Sequence, residues 1–318
     1  MPMNTLTQTR DAHEAGETRK QDYIEAIHAR HAGLFDYPEF IAGTDVEALL
    51  IQAGGVFVRS RSQQIELLLD PRDQHLVPCT LMNFRAYEMA ETEFLKAVTQ
   101  ESGAILDIGA NCGWYALALA RHCPTVPIHA FEPIPHTHEI LQRNIRHNGF
   151  TNIEAHRLAF SDREATLEFL YTPNCSGATS LTMAGQPCTQ ESLEKISCPS
   201  TTLDLFCERN GLVPQIIKCD VEGAELMVIQ GGEEIIATHK PVILIELLRK
   251  WAKQFDYHPN DVVTLLGKHG YQAHTLGASG LVPCRGIDED TLETNFIFLH
   301  VQQHRHIAGV ESTLRFMP

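Results

Sequence analysis

The run A-I-L-D-I-G-A-N-C-G-W-Y-A-L-A-L, from Ala104 to Leu119, restricts the fold of this chain more than any other stretch. Residues 104–108 have the apolar continuity of a buried strand. Gly109, Asn111 and Gly113 then break the pattern, and apolar residues return at helical spacing over 114–122. A strand that turns into a helix within five residues is the start of a βα unit. Its glycines remove Cβ atoms, and the first N–H groups of the helix point outward, so a small ligand can approach the backbone there.

After Gly103 the alternation continues. Strands are expected over 104–108, 127–131, 153–160, 215–219, 241–247, 271–276 and 294–300. Helices are expected over 114–122, 136–148, 202–209 and 260–269, with another stretch reaching residue 238 that Gly231 and Gly232 divide. The segment P-V-I-L-I-E-L at 241–247 is apolar almost throughout, as in a strand buried on both faces. An extra strand is expected over 166–171, then a long loop over 172–200 rich in Ser, Thr, Gly and Pro, a length that usually marks function or disorder. This is an α/β pattern, an open and mostly parallel Rossmann-like sheet with helices on both faces and ligands at the strand carboxyl ends. Upstream, residues 1–20 read as a mobile polar end and 22–31 as a short helix. After Gly54 and Gly55, two short strands are expected around a turn, V-F-V-R-S at 56–60 and Q-I-E-L-L-L-D at 64–70, and then an amphipathic helix over 83–100.

Composition narrows the partners. Among 318 residues, 25 basic and 40 acidic side chains give a net charge of −15, which argues against a broad nucleic-acid or anionic-membrane footprint. No apolar run approaches the roughly 20 residues of a membrane helix, and the opening M-P-M-N-T-L-T-Q lacks the apolar centre of a secretory signal. A cytoplasmic protein is expected. The nine cysteines contain no C-x-x-C pair, so zinc spacing is absent and the thiols read as structural or incidental in a reducing compartment. The His-x-His pairs at 136/138 and 304/306 read as solvated.

The chemistry should stand just after each strand. Asp107 and the Gly109, Asn111, Gly113 turn follow the first. A dinucleotide fingerprint would have glycine where Asn111 stands; the asparagine side chain would press on a pyrophosphate and is easier to reconcile with S-adenosylmethionine, which has no phosphate. Asp107 can face the positively charged methionine part of such a cofactor. Glu132 closes the second strand, 25 residues beyond Asp107, where a carboxylate can accept from both ribose hydroxyls. Ser161 and Asp162 follow the third and are candidates for adenine recognition. The fourth ends in I-K-C-D-V-E-G-A-E, with Lys218, Asp220, Glu222 and Glu225 in eight residues, and the fifth ends near Glu246. Asp220 is the leading candidate for a general base, Lys218 for setting local charge, and Glu246 for a second base. Glu225 reads as a helix-start carboxylate meeting the helix dipole. A magnesium ion held by Asp220 and Glu246 is the alternative arrangement.

The ordered set D-I-G-A-N-C-G-W-Y, F-E-P, L-A-F-S-D, T-L-D, I-K-C-D-V-E-G-A-E and P-V-I-L-I-E-L resembles the FkbM family of S-adenosylmethionine-dependent methyltransferases, over roughly 84–298. The resemblance implies a class I methyltransferase fold, a seven-stranded sheet with its last strand antiparallel, and O-methylation of a hydroxyl on a sugar, polyketide or other small metabolite. It implies cofactor roles for Asp107, Gly109, Asn111, Gly113, Glu132 and Asp162, with the Asp220 segment beside the reacting centre. It also implies that N-C-S-G-A-T-S-L, from Asn174, lines the acceptor pocket. On this reading residues 1–82 form an N-terminal extension or cap, 83–302 the methyltransferase domain and 303–318 a C-terminal tail. An N-methyltransferase, a non-catalytic cofactor-binding protein and an NAD-dependent oxidoreductase are the other readings.

Overall fold

The computed structural model describes residues 5–172, 194–277 and 280–308. It begins with helices α1 (Leu6–Glu14), α2 (Lys20–His31) and α3 (Tyr37–Phe40). A mobile polar end is thus replaced by a helix whose first turn is fixed by a capping box. Thr5 Oγ1 accepts from the Gln8 amide, and the Gln8 side chain accepts from the Thr5 amide. None of the three helices buries a residue. Next come β1 (Val46–Gln52), β2 (Gly55–Ser60) and β3 (Glu66–Leu68), a three-stranded antiparallel sheet where two strands are expected. The single helix expected over 83–100 is two, α4 (Val77–Phe84) and α5 (Met89–Val98), because Arg85 and Glu88 adopt positive φ between them.

The alternating part follows as β4 (Ala104–Ile108), α6 (Trp114–His122), β5 (Ile128–Phe131), α7 (Pro135–Asn148) and β6 (Ile153–His156). The expected strand over 153–160 stops at His156. Its last two residues form β7 (Ala159–Phe160), which leaves the main sheet and pairs with β9 (Glu194–Thr201), itself antiparallel to β8 (Ala165–Tyr171). The end of the expected long loop is therefore strand, while the segment starting at Asn174 lies outside the described residues.

Then come α8 (Leu203–Asn210), capped by Thr202, β10 (Pro214–Cys219), α9 (Glu225–Gln230), α10 (Glu233–His239), β11 (Val242–Glu246), α11 (Arg249–Ala252) and α12 (Pro259–Lys268). The chain closes with β12 (Tyr271–Gly277), β13 (Gly280–Cys284), β14 (Asn295–His300) and α13 (Arg305–Ala308).

The main sheet has the order β13-β12-β14-β11-β10-β4-β5-β6. The five strands from β11 to β6 are parallel. The last strand, β14, is inserted antiparallel between β11 and β12. The edge strand β13 brings the total to eight rather than seven.

The pleat sends successive side chains to opposite faces. On one face Ile105, Ile128, Ile216, Leu244 and Ile297 share a core with Leu117 of α6, and with Phe57, Leu81 and Phe94 from the first hundred residues. On the other, Leu106, Ile108, Ile217, Ile243 and Phe298 pack with Val228 and Leu266. Truncating a fully buried anchor such as Phe94 costs about 3–5 kcal/mol.

Among the described residues no helix is long and apolar enough to cross a membrane. None of the seven described cysteines is in a disulfide. The His-x-His pairs are less solvated than the sequence suggests. His136 is bonded to Asp70, and His304 is buried, accepting from the His300 amide.

Candidate active site

The carboxyl ends of β4, β5, β10 and β11 open onto a cavity of about 410 Å³, the size of a small-ligand site. Its floor is the turn after β4, where Gly109, Asn111 and Gly113 all take positive φ. The two glycines serve packing. A Cβ on Gly109 would stand 1.7 Å from the Asp220 carbonyl oxygen, so glycine lets the turns after β4 and β10 touch. A Cβ on Gly113 would meet Leu117 and Leu141 at 2.5 and 2.6 Å, where α6 crosses α7. Gly109 and Asn111 line the cavity, and Gly113 is not among its lining residues.

The amides of this turn are engaged within the protein. Asn111 donates its N–H to Glu132 Oε2 at 3.1 Å, Cys112 donates to Asn111 Oδ1 at 2.7 Å, and Gly113 donates to the Ala110 carbonyl at 2.8 Å. Asn111 tolerates the left-handed region better than most residues and uses its side chain to close the turn. Glu132 Oε1 accepts from the Ile134 amide at 2.9 Å. Each Glu132 oxygen keeps a second lone pair, and the residue lines the cavity. Burial raises its pKa to about 7, although the Ile134 and Asn111 amides act in the opposite direction.

Asp107 stands below the cavity and is not among its lining residues. Its Oδ2 accepts from the Ala116 amide in the first turn of α6 at 3.0 Å, and its Oδ1 lies 3.6 Å from Lys218 Nζ. Lys218 Nζ in turn donates to the Gly109 carbonyl at 2.8 Å, lies 3.6 Å from Asp220 Oδ2 and sits 5.5 Å from the centre of the Tyr115 ring. Burial alone would lower the lysine pKa. Asp220 and Asp107 more than offset it, so Lys218 remains an ammonium.

Asp220, Glu222 and Glu246 bring carboxylate oxygens within 4.8 Å of one another and all line the cavity. Burial first, then Asp220, raises Glu222 to about 9 and holds Glu246 well above the carboxylate range. Glu225 braces the loop after β10. Its Oε1 accepts from the Val221 and Gly223 amides at 3.1 and 3.0 Å, and its Oε2 accepts from the Tyr257 hydroxyl at 2.9 Å.

The structure does not bring Ser161 and Asp162 to the cavity lining. Ser161 Oγ donates to Asp162 at 3.1 Å and its amide donates to Thr201, because β7 belongs to the second sheet. Leu158, Ala159 and Phe160, just before them, form an apolar wall instead. Sequence reasoning also missed Glu88, which lines the cavity, accepts from the Tyr115 hydroxyl at 2.7 Å and accepts from Asn295 Nδ2 at 2.9 Å. No local pattern marks it, since Asn295 lies 207 residues away.

Five parallel strands, an antiparallel strand inserted beside them and a cavity over the first, second, fourth and fifth strand ends define a class I methyltransferase fold. The chain belongs to the FkbM methyltransferase family: the model described as "Methyltransferase FkbM domain" matches residues 107–273, more than half of the sequence. It is 28% identical over 145 residues to Methyltransferase 1 of Beauveria bassiana (strain ARSEF 2860), covering 41% of this chain and 58% of that relative. It is 29% identical over 160 residues to Methyltransferase sdnD of Sordaria araneosa, covering 41% of this chain and 60% of that one. The matches thus span about three-fifths of these curated relatives. Among solved structures, methyltransferase FkbM from Methylobacillus flagellatus KT is 18% identical, with a TM-score of 0.40 over 73% of this chain and 56% of that one.

Proposed function

We propose that this chain is an S-adenosylmethionine-dependent methyltransferase that methylates a hydroxyl on a small metabolite, with residues 83–302 as the catalytic domain and 1–82 as a cap. One observation carries the cofactor reading. The amide of Asn111 is already paired with Glu132 and those of Cys112 and Gly113 within the turn, leaving them unavailable to a pyrophosphate, while Glu132 keeps acceptor lone pairs at the cavity for a ribose. That combination favours an adenosyl ligand without phosphates over NAD. Asp220, at the far end of the cavity, suits a sulfonium.

The cofactor, when bound, supplies an electrophilic methyl group. Glu132 accepts from the ribose hydroxyls, and Leu158, Ala159 and Phe160 offer the adenine an apolar wall. Asp107 and Lys218 act from below by fixing the turn. Asp220 would take the proton that the acceptor hydroxyl loses when the methyl group passes to its oxygen, the carbon–sulfur bond breaks and S-adenosylhomocysteine leaves, and Lys218 holds that carboxylate in place. The apposition of Asp220, Glu222 and Glu246 favours a second arrangement, in which these carboxylates hold a magnesium ion that orients the acceptor. Undiminished turnover in chelator removes it.

Calorimetry with S-adenosylmethionine and NAD separates the cofactor readings, and binding of NAD alone would sink the proposal. For the base, S-adenosylhomocysteine release is followed across a panel of hydroxylated and amine-bearing acceptors, which also reads oxygen against nitrogen. Asp220→Asn is expected to lower turnover about 10²- to 10⁴-fold with cofactor affinity retained. Near-normal turnover would remove Asp220 from the role.

A further inference from the structure

The cavity does not use a second cluster of donor atoms, which lies on one face of the β5–β6 pair. The parallel register sets His129 beside Glu154 and Phe131 beside His156, so the two imidazoles and the carboxylate share that face. His129 Nδ1 lies 3.0 Å from His156 Nε2 and 3.6 Å from Glu154 Oε2, and His156 Nε2 lies 3.9 Å from Glu154 Oε1. We propose that His129, Glu154 and His156 form a zinc site that clasps the edge strand β6 to β5.

Three features support it. A tetrahedral zinc with bonds of about 2.0–2.1 Å needs its ligand atoms roughly 3.3 Å apart, close to the spacing of these groups. The rings are largely covered, at 12% and 19% side-chain exposure, while Glu154 is 67% exposed, so an ion can enter from the solvent side and complete its shell with water. Two imidazoles with one carboxylate suit zinc, whereas magnesium prefers an all-oxygen shell. The site is independent of the methyl-transfer chemistry. It adjoins the cavity, however, because His156 stacks on Phe131 with centroids 4.8 Å apart and Phe131 lines the cavity.

The test uses the full chain, stripped with chelator and titrated with Zn²⁺ by calorimetry, with Co²⁺ as a spectroscopic probe. The expected result is one ion per chain, a four-coordinate visible cobalt spectrum and a zinc-dependent rise in Tm. Glu154→Gln, at an exposed position, should weaken binding at least tenfold and abolish the rise in Tm. His156→Gln should abolish both binding and the spectrum. No stoichiometric binding by the native chain, leaving only the His129–His156 hydrogen bond, would overturn the proposal. So would Glu154→Gln binding zinc as tightly as the native chain.

Discussion

Replacing Glu132 with Gln separates what this carboxylate does for the ligand from what it does to the fold. In the folded protein its pKa is raised from 4.5 to about 7, by burial first, against the Ile134 and Asn111 amides. Ionising it there is roughly 3 kcal/mol costlier than in the unfolded chain. Below pH 4.5 both states hold the proton and this contribution to stability is complete. Between 4.5 and 7 the folded state binds more protons than the unfolded state, so stability falls as pH rises and the contribution is gone by pH 8.

Gln at this position does not titrate. It loses one of the two amide bonds, a cost of about 1–3 kcal/mol that is the same at every pH. Urea denaturation at pH 5 and pH 8 should therefore show native stability falling roughly 2.5 kcal/mol more than that of Glu132→Gln, with the other carboxylates cancelling in the difference. Calorimetry should show S-adenosylmethionine affinity falling about 10- to 100-fold in the variant, as the charged acceptor of two hydroxyls is lost. An equal stability difference at both pH values would refute the burial argument. Unchanged affinity would refute the ribose role.

Two further substitutions probe the turn. Lys218→Met removes the cation within 3.6 Å of both Asp107 and Asp220, and is expected to cost about 3–5 kcal/mol by leaving a buried carboxylate unpaired. Thermal unfolding checks it, and an unchanged Tm would show that the cation is dispensable. Gly109→Ala places a methyl group against the Asp220 carbonyl and should cost 3 kcal/mol or more, or abolish soluble expression. Gly149→Ala also has positive φ but meets nothing within 4 Å, so it should cost only about 1 kcal/mol of backbone strain.

Legibility in the sequence followed local pattern. β4 and α6 match the expected bounds, and β5, α7 and β10 lie within one residue of theirs, because their apolar spacing is set by burial in the sheet. The Thr5–Gln8 capping box was readable as T-x-x-Q, yet with no apolar face behind it the helix left no periodicity. β13 and β9 were hidden. G-L-V-P-C carries a proline on an edge strand, and the polar, proline-bearing β9 is a strand because β8 pairs with it. Glu132, Lys218 and Asp220 line the cavity because they stand at the carboxyl ends of β5 and β10, a position that the strand pattern makes legible. Ser161 and Asp162 were misplaced because nothing local shows the chain changing sheets after His156. Glu88 depends on partners from α6 and β14.

That last dependence sets an order of assembly. Glu88 is held on one side by Tyr115 and on the other by Asn295, which lies opposite Glu246 at the start of β14. A nascent chain can pair β4, β5, β10 and β11 as each emerges from the ribosome. Until residue 295 follows, the wall carrying Glu88 lacks one of its two fastenings and β11 lacks a neighbour. The cavity is therefore finished only after β14 has joined the sheet, and its ligand meets a complete pocket only once Asn295 is in place.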